Sequence, residues 1–293
     1  MNWRYVGTGV LFAVLWSSAG TAGKFGIRSV EPLVLFTIRF LSAGILMLLY
    51  SHGLSRDSYP KSSEWKPLLI FGFFNTTLYL GVFIVALQYI TAGITALGIA
   101  INPLIISVMS SYMLGRKVSK DEWISIVIGI TGVVVAAWPL LISEEVLPGG
   151  VLMLFICMVA YSFGSVYYGT INWGISRLTI NGWQVFFGGL MLIPFAWLMH
   201  KGENQFDRLF WISEAWLIFP VSIVSVQLWL VLLKKDAVRA SLWLFLCPIS
   251  GLIISSIFLG EQISSFTIAG TVMVLGSLYL GQRQKWSGAL EKK

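Results

Sequence analysis

The sequence predicts an all-α membrane protein with ten transmembrane helices, arranged as two inverted five-helix repeats. Three observations carry that expectation. Hydrophobic residues make up 57% of the chain and charged residues 11%, far outside the soluble globular range. Sliding the chain against itself by 145 residues aligns Ser17 with Ser162, Gly44 with Gly189, Ala92 with Ala237, Pro103 with Pro248 and Leu114-Gly115 with Leu259-Gly260. Lys and Arg also fall unevenly between alternate connections. The repeats are expected at 1–145 and 146–293, and internal repeats in a membrane chain point to a carrier.

Apolar blocks run over 6–23, 33–50, 68–87, 93–113, 122–141, 149–170, 179–199, 215–233, 240–259 and 266–281. Each is long enough to cross a bilayer as a helix. The first ends before Lys24; small residues after its apolar stretch imitate a secretory signal, but nine further blocks make a retained helix the simpler reading. The second contains Arg39, an intramembrane cation that is either functional or a structural clamp on helix carbonyls. Asn75, Thr76 and Tyr79 lie in the third. In the fourth, the small-residue row Ala92, Ala96, Ala100 leads to Asn102-Pro103. The fifth carries Gly132-xxx-Ala136, either a dimer seam or internal packing.

The second half repeats the plan. The sixth block holds Cys157, Tyr161, Ser162 and Ser165; the seventh holds Gln184, which stands where the first half has Arg39. Gln227 is in the eighth, and Trp243, Cys247 and Pro248 are in the ninth. Pro103 and Pro248 are expected as hinge residues, either bending both helices around a central cavity or acting as ordinary packing kinks. The two cysteines read as apolar packing residues. Trp3, Trp65, Trp123, Trp211 and Trp286 flank blocks, as indole rings do at an interface.

Fifteen of the twenty Lys and Arg fall on one side, at Arg4, Arg56, Lys61, Lys66, Arg116, Lys117, Lys120, Arg177, Lys234, Lys235, Arg239, Arg283, Lys285, Lys292 and Lys293. The other side has Lys24, Arg28, Lys201 and Arg208. That bias predicts cytoplasmic termini in a multi-pass protein of the cell (inner) membrane, and a five-span repeat then forces opposite polarity on the two halves. Net charge +7 is thus read as orientation, with no nucleic-acid partner.

No catalytic motif, metal-ligand spacing or cofactor-binding loop is present, so no catalytic residue, metal or cofactor is expected. All thirteen acidic residues fall in loops or at block ends, which predicts facilitated or exchange transport, or coupling through the substrate's own charge. The expected substrate cavity draws on Trp16, Ser17, Arg39, Asn75, Tyr79, Asn102, Tyr161, Ser162, Gln184, Gln227 and Trp243. The partners are a small-molecule substrate and the lipid bilayer; the sequence leaves the oligomeric state open.

Several stretches resemble the EamA branch of the drug/metabolite transporter (DMT) superfamily. They are Leu15-Trp16-Ser17-Ser18 with Lys24, Arg39-Phe40, Asn102-Pro103, Leu114-Gly115, Asp236-Ala237-x-Arg239-Ala240-Ser241, and Pro248 through Leu259-Gly260-Glu261 to Gly270. The resemblance covers essentially the whole chain. It implies inner-membrane export of amino acids, related metabolites or drugs. One departure is that Leu-Gly-Glu at 259–261 is Leu-Gly-Arg at 114–116, so Glu261 reads as a turn or hydrogen-bonding residue and not as a coupling carboxylate. Exchange of phosphorylated sugars or nucleotide sugars would need more cavity cations than Arg39 and Lys24 supply. A non-transporting receptor would need a docking domain, and no loop has room for one.

Overall fold

A computed structural model describes residues 3–86, 89–90, 92–142, 148–259 and 263–282, without the side chains at 92–94, 97, 140, 142, 255 and 259. Gly260, Glu261, Arg283, Lys285, Trp286, Lys292 and Lys293 lie outside the described residues. Every regular element among the described residues is helical. In chain order these are α1 (Trp3–Gly26), α2 (Pro32–Leu54), α3 (Ser62–Ala86), α4 (Ala92–Leu114) and α5 (Lys120–Ile142). Then come α6 (Pro148–Thr170), α7 (Arg177–Leu198), α8 (Arg208–Lys235), α9 (Ala237–Phe258) and α10 (Ser265–Gln282). Among the described residues, nine of them are long and apolar enough to cross a membrane, and α4 contributes a shorter apolar run, Gly98–Leu114. Exposed side chains along the helices are apolar, including Leu11, Ile45, Phe155, Phe219 and Ile257, as a lipid-facing surface requires.

Local chemistry sets the helix ends. Pro32 starts α2, where a missing N–H costs nothing. Ser176 caps α7 by accepting the Thr179 N–H at 3.1 Å, and Asp207 caps α8 by accepting that of Phe210 at 2.8 Å. Gly115, at φ 62°, ends α4 in the left-handed conformation that glycine adopts without strain. The cap at Asp207 starts α8 well before residue 215, where the apolar block begins. This corrects the sequence expectation for one acid: Glu214 lies about 9 Å inside the helix at about 1.5 Å per residue.

Two helices are interrupted in matching places. The third helix of each half is π-helical in its middle, over Phe73–Gly81 in α3 and Leu217–Ser225 in α8. In α9 a 3-10 turn, Leu242–Phe245, lies just ahead of Pro248, which cannot donate to the turn before it.

Packing between halves depends on glycine. Gly44 of α2 lies against the backbone of Phe186 in α7, and Gly189 of α7 lies against the backbone N–H of Leu41 in α2. The two contacts exchange under the same shift of 145, and they run antiparallel along the two helices. Helices α5 and α10 behave likewise: Gly270 meets the Gly132 carbonyl, and the Ser125 hydroxyl donates to the Ser277 carbonyl at 2.6 Å. Gly132-xxx-Ala136 therefore packs internally, against Gly270. Ala100, Ala237 and Ser241 are buried and serve close packing, while Ala96 is half-buried.

The connections are latched at both ends of the α2–α7 seam. At one end, the Glu31 carboxylate accepts from His200 (2.6 Å) and from the Lys201 and Gly202 N–H groups. At the other, Asp57 accepts from Ser176 at 2.6 Å, while Glu64 accepts the Gly174 N–H.

Candidate functional site

A polar chain and an aromatic cluster meet in the core. The chain begins at Arg39, whose Nε donates to the Ser222 hydroxyl at 2.8 Å. The Ser222 carbonyl accepts from Asn181 (2.9 Å), and the Asn181 side-chain oxygen accepts from Gln184 (3.0 Å). Gln184 in turn accepts from Thr76 at 2.8 Å and from Asn75 at 3.4 Å. Four helices are joined: α2, α8, α7 and α3. Asn75, Thr76 and Ser222 all come from the π-helical stretches, so the irregular backbone presents the polar groups.

The aromatic cluster uses α1, α3, α6 and α8. Tyr161 lies between Tyr79 (centroids 4.7 Å), Trp229 (5.7 Å) and Trp16 (6.4 Å), and Phe12 stacks on Trp229 at 4.9 Å. Tyr79 interacts with both Trp16 and Arg39, linking the two groups. Tyr79 and Tyr161 are almost wholly buried. Asn75 Oδ1, the Tyr161 hydroxyl and Trp229 Nε1 are buried here without a hydrogen-bond partner. Beside the cluster, Ser162 donates to Asn102 Oδ1 at 3.0 Å, next to Pro103.

Other residues expected in the cavity lie elsewhere. The Ser17 hydroxyl returns to its own helix carbonyls at Ala13 and Val14. Gln227 donates to the Arg177 carbonyl at the end of α8 nearer Lys235. Trp243 occupies the space left by Gly9 and meets Tyr5 edge-on at 6.1 Å. Cys157 and Cys247 are free and buried.

A cleft of ≈ 520 Å³ opens at the end where the α4–α5, α6–α7 and α8–α9 connections gather. Arg116, Arg177, Lys234, Lys235 and Asp236 line its mouth, with Tyr168, Ile180 and Leu233 toward the interior. Arg116 contacts Glu122 at 2.6 Å and Asp236 at 2.8 Å, and Arg239 contacts Glu122 at 3.2 Å. Those carboxylates hold the Arg116 guanidinium more firmly protonated than usual, although partial burial opposes them. The network ties the α4–α5 loop to the α8–α9 joint.

Sequence reasoning missed Ser222, Asn181, Phe12, Trp229 and above all Glu214. Glu214 is 1% exposed, neither of its carboxylate oxygens has a hydrogen-bond partner, and it interacts electrostatically with Arg39. The helix-start signal at Asp207 was the clue available in the sequence.

The family model for EamA-like transporters matches residues 3–138 and again 148–281. The chain belongs to the EamA-like transporter family. Among relatives of this EamA-like protein, an uncharacterized transporter of Synechocystis sp. is 25% identical over 92% of this chain and 88% of its own. Protein PecM of Dickeya dadantii is 27% identical over 86% and 83% respectively. The uncharacterized inner membrane transporter YedA of Escherichia coli is 25% identical over 87% and 84%. A solved crystal structure superposes with a TM-score of 0.80 at 17% identity, over 96% of this chain and 97% of the other, which shows a common fold. The EamA-like chain is thus a multi-pass membrane protein of a transporter family.

Proposed function

We propose that this EamA-like protein is a secondary carrier of the cell (inner) membrane that exports a small polar or amphipathic metabolite, an amino acid or a related compound, by alternating access. Ten spans form two inverted repeats, 1–145 and 146–293, with both termini cytoplasmic. The observation that carries this reading is the pair of exchanged contacts, Gly44 with Phe186 and Gly189 with Leu41, on antiparallel helices that occupy equal places in the two halves. Two copies that pack antiparallel across a bilayer supply the two mirrored half-channels that alternating access needs. The substrate site is the aromatic cluster together with the polar chain, where Arg39, Asn75, Tyr79, Asn102, Tyr161, Ser162 and Gln184 converge. The cleft beside Arg116 is the path from the cytoplasmic side, which the cation-rich loops face.

Two measurements test it. Single cysteines at Lys117, Lys234 and Lys201, with the buried native cysteines as a quiet background, report topology by impermeant labelling. The first two are expected to label from the cytoplasm and the third from outside; labelling of all three from one face overturns the inverted arrangement. Counterflow of radiolabelled amino acids in proteoliposomes is expected for at least one compound, and its absence across the full set overturns the substrate class.

A further inference from the structure

The other buried acids among the described residues are satisfied. Glu64 accepts the Lys61 and Gly174 N–H groups, and Glu122 accepts from Arg116 and Arg239. Glu214 accepts nothing on either oxygen, although it is buried within a membrane helix. A lone carboxylate in that setting is costly, so it needs a compensating charge or a proton. Arg39 of α2 supplies the charge. The two residues lie at similar depth, each about 10 Å from the start of its helix at about 1.5 Å per residue. From α3, Tyr79 interacts with Arg39 in turn. Helix α1 packs along Arg208–Trp216 and carries Lys24 in its last turn, with Arg28 just beyond.

We propose that Glu214 is a proton-binding site, and that proton uptake there accompanies the binding of an anionic group of the substrate on Arg39. This rests on the carrier reading above. The site has two states of equal net charge. In one, ionised Glu214 balances Arg39. In the other, a proton taken from water neutralises Glu214, and a substrate carboxylate takes over the balancing of Arg39. Neither state leaves an uncompensated charge in the membrane, so proton and anion enter and leave together. In the repeat-related position the first half has Leu69, so only one such pair is built. The sequence expectation of facilitated or exchange transport, or of coupling through the substrate's own charge, rested on the apparent absence of a buried carboxylate, and Glu214 removes that ground.

The test reads the carboxyl group directly. Infrared difference spectra of the purified protein in neutral liposomes are taken from about pH 5 to about pH 9, with and without acetate as the anionic probe. The wild type is expected to show a titrating protonated-carboxyl signal that acetate strengthens. Glu214→Gln abolishes that signal, Glu214→Asp keeps and shifts it, and Arg39→Gln removes the acetate response. A spectrum identical in wild type and Glu214→Gln overturns the proton site. A signal that ignores acetate overturns the coupling of proton to anion, and one displaced by sodium at constant pH assigns the carboxylate to a metal cation instead. Because no flux is measured, failure of amino-acid counterflow with the carboxyl response intact overturns the amino-acid substrate class alone.

Discussion

Arg39 and Gln184 occupy the same place in the two halves, and each bonds to the third helix of the other half. Arg39 donates to Ser222 on α8 at 2.8 Å, and Gln184 accepts from Thr76 on α3 at 2.8 Å. Each bond joins the second helix of one half to the π-helical stretch in the third helix of the other. Only the Arg39 side has a charge, and only there does an acid, Glu214, lie nearby. The molecule is symmetric in framework and asymmetric in chemistry.

The Arg39–Glu214 pair predicts a specific pattern of rescue. Arg39→Gln removes the cation that acts on Glu214 and the bond to Ser222, and is expected to destabilise the protein by about 1–3 kcal/mol. Adding Glu214→Gln restores most of that loss, because the double variant buries no charge. Transport is lost in both. Thermal unfolding in detergent, followed by counterflow, checks the two halves of this statement; equal instability of the single and double variants would count against the pairing.

At Gly44 any side chain meets the Phe186 backbone, which cannot retreat. Gly44→Val is expected to cost about 1–3 kcal/mol, with Gly189→Val costing a similar amount. Gly7, with open space around it, provides the control: Gly7→Ala is expected to be neutral or slightly stabilising. Melting temperatures of the three variants decide the matter.

Glu122 carries the ion network at the cleft mouth, since its side chain is 2% exposed and two arginines converge on it. Glu122→Gln is expected to cost about 2 kcal/mol, a figure below that of a fully buried pair because Arg116 remains partly hydrated. Asp236→Asn, at a more exposed position, is expected to cost less. Faster hydrogen exchange in the α4–α5 loop of the Glu122 variant is the companion observation.

The latch at Glu31 makes a pH prediction. Its carboxyl is held down at about 2, chiefly by the hydrogen bond from His200 and then by the Lys201 and Gly202 backbone. A depressed acid stabilises the fold above its ordinary value of 4.5, and that contribution disappears as pH falls through about 2. Wild type is therefore expected to lose more melting temperature between those limits than Glu31→Gln. Parallel acid titrations of both proteins measure the difference.

Much of this was legible in the sequence. Gly44 and Gly189 stood in register at a shift of 145, and the same shift paired Arg39 with Gln184. Facing was harder to read. Helices that are apolar all round give no periodic cue to their rotation, so Gln227 and Trp243 looked as central as Tyr161. The structure finds Gln227 at the Arg177 carbonyl and Trp243 against Gly9. Glu214 escaped for a different reason. An apolar window stops at the first charge, whereas the helix starts where Asp207 caps it.

Asp236 alone separates α8 from α9, in extended conformation at φ −170° and ψ 112°, and it caps the second helix while gripping Arg116. A hinge one residue long has no slack. Any swing of α8, with Trp229 and Ser222 aboard, must drag α9 along and pull on Arg116. Motion at the heart of the molecule is thereby geared to the mouth of the cleft beside Arg116.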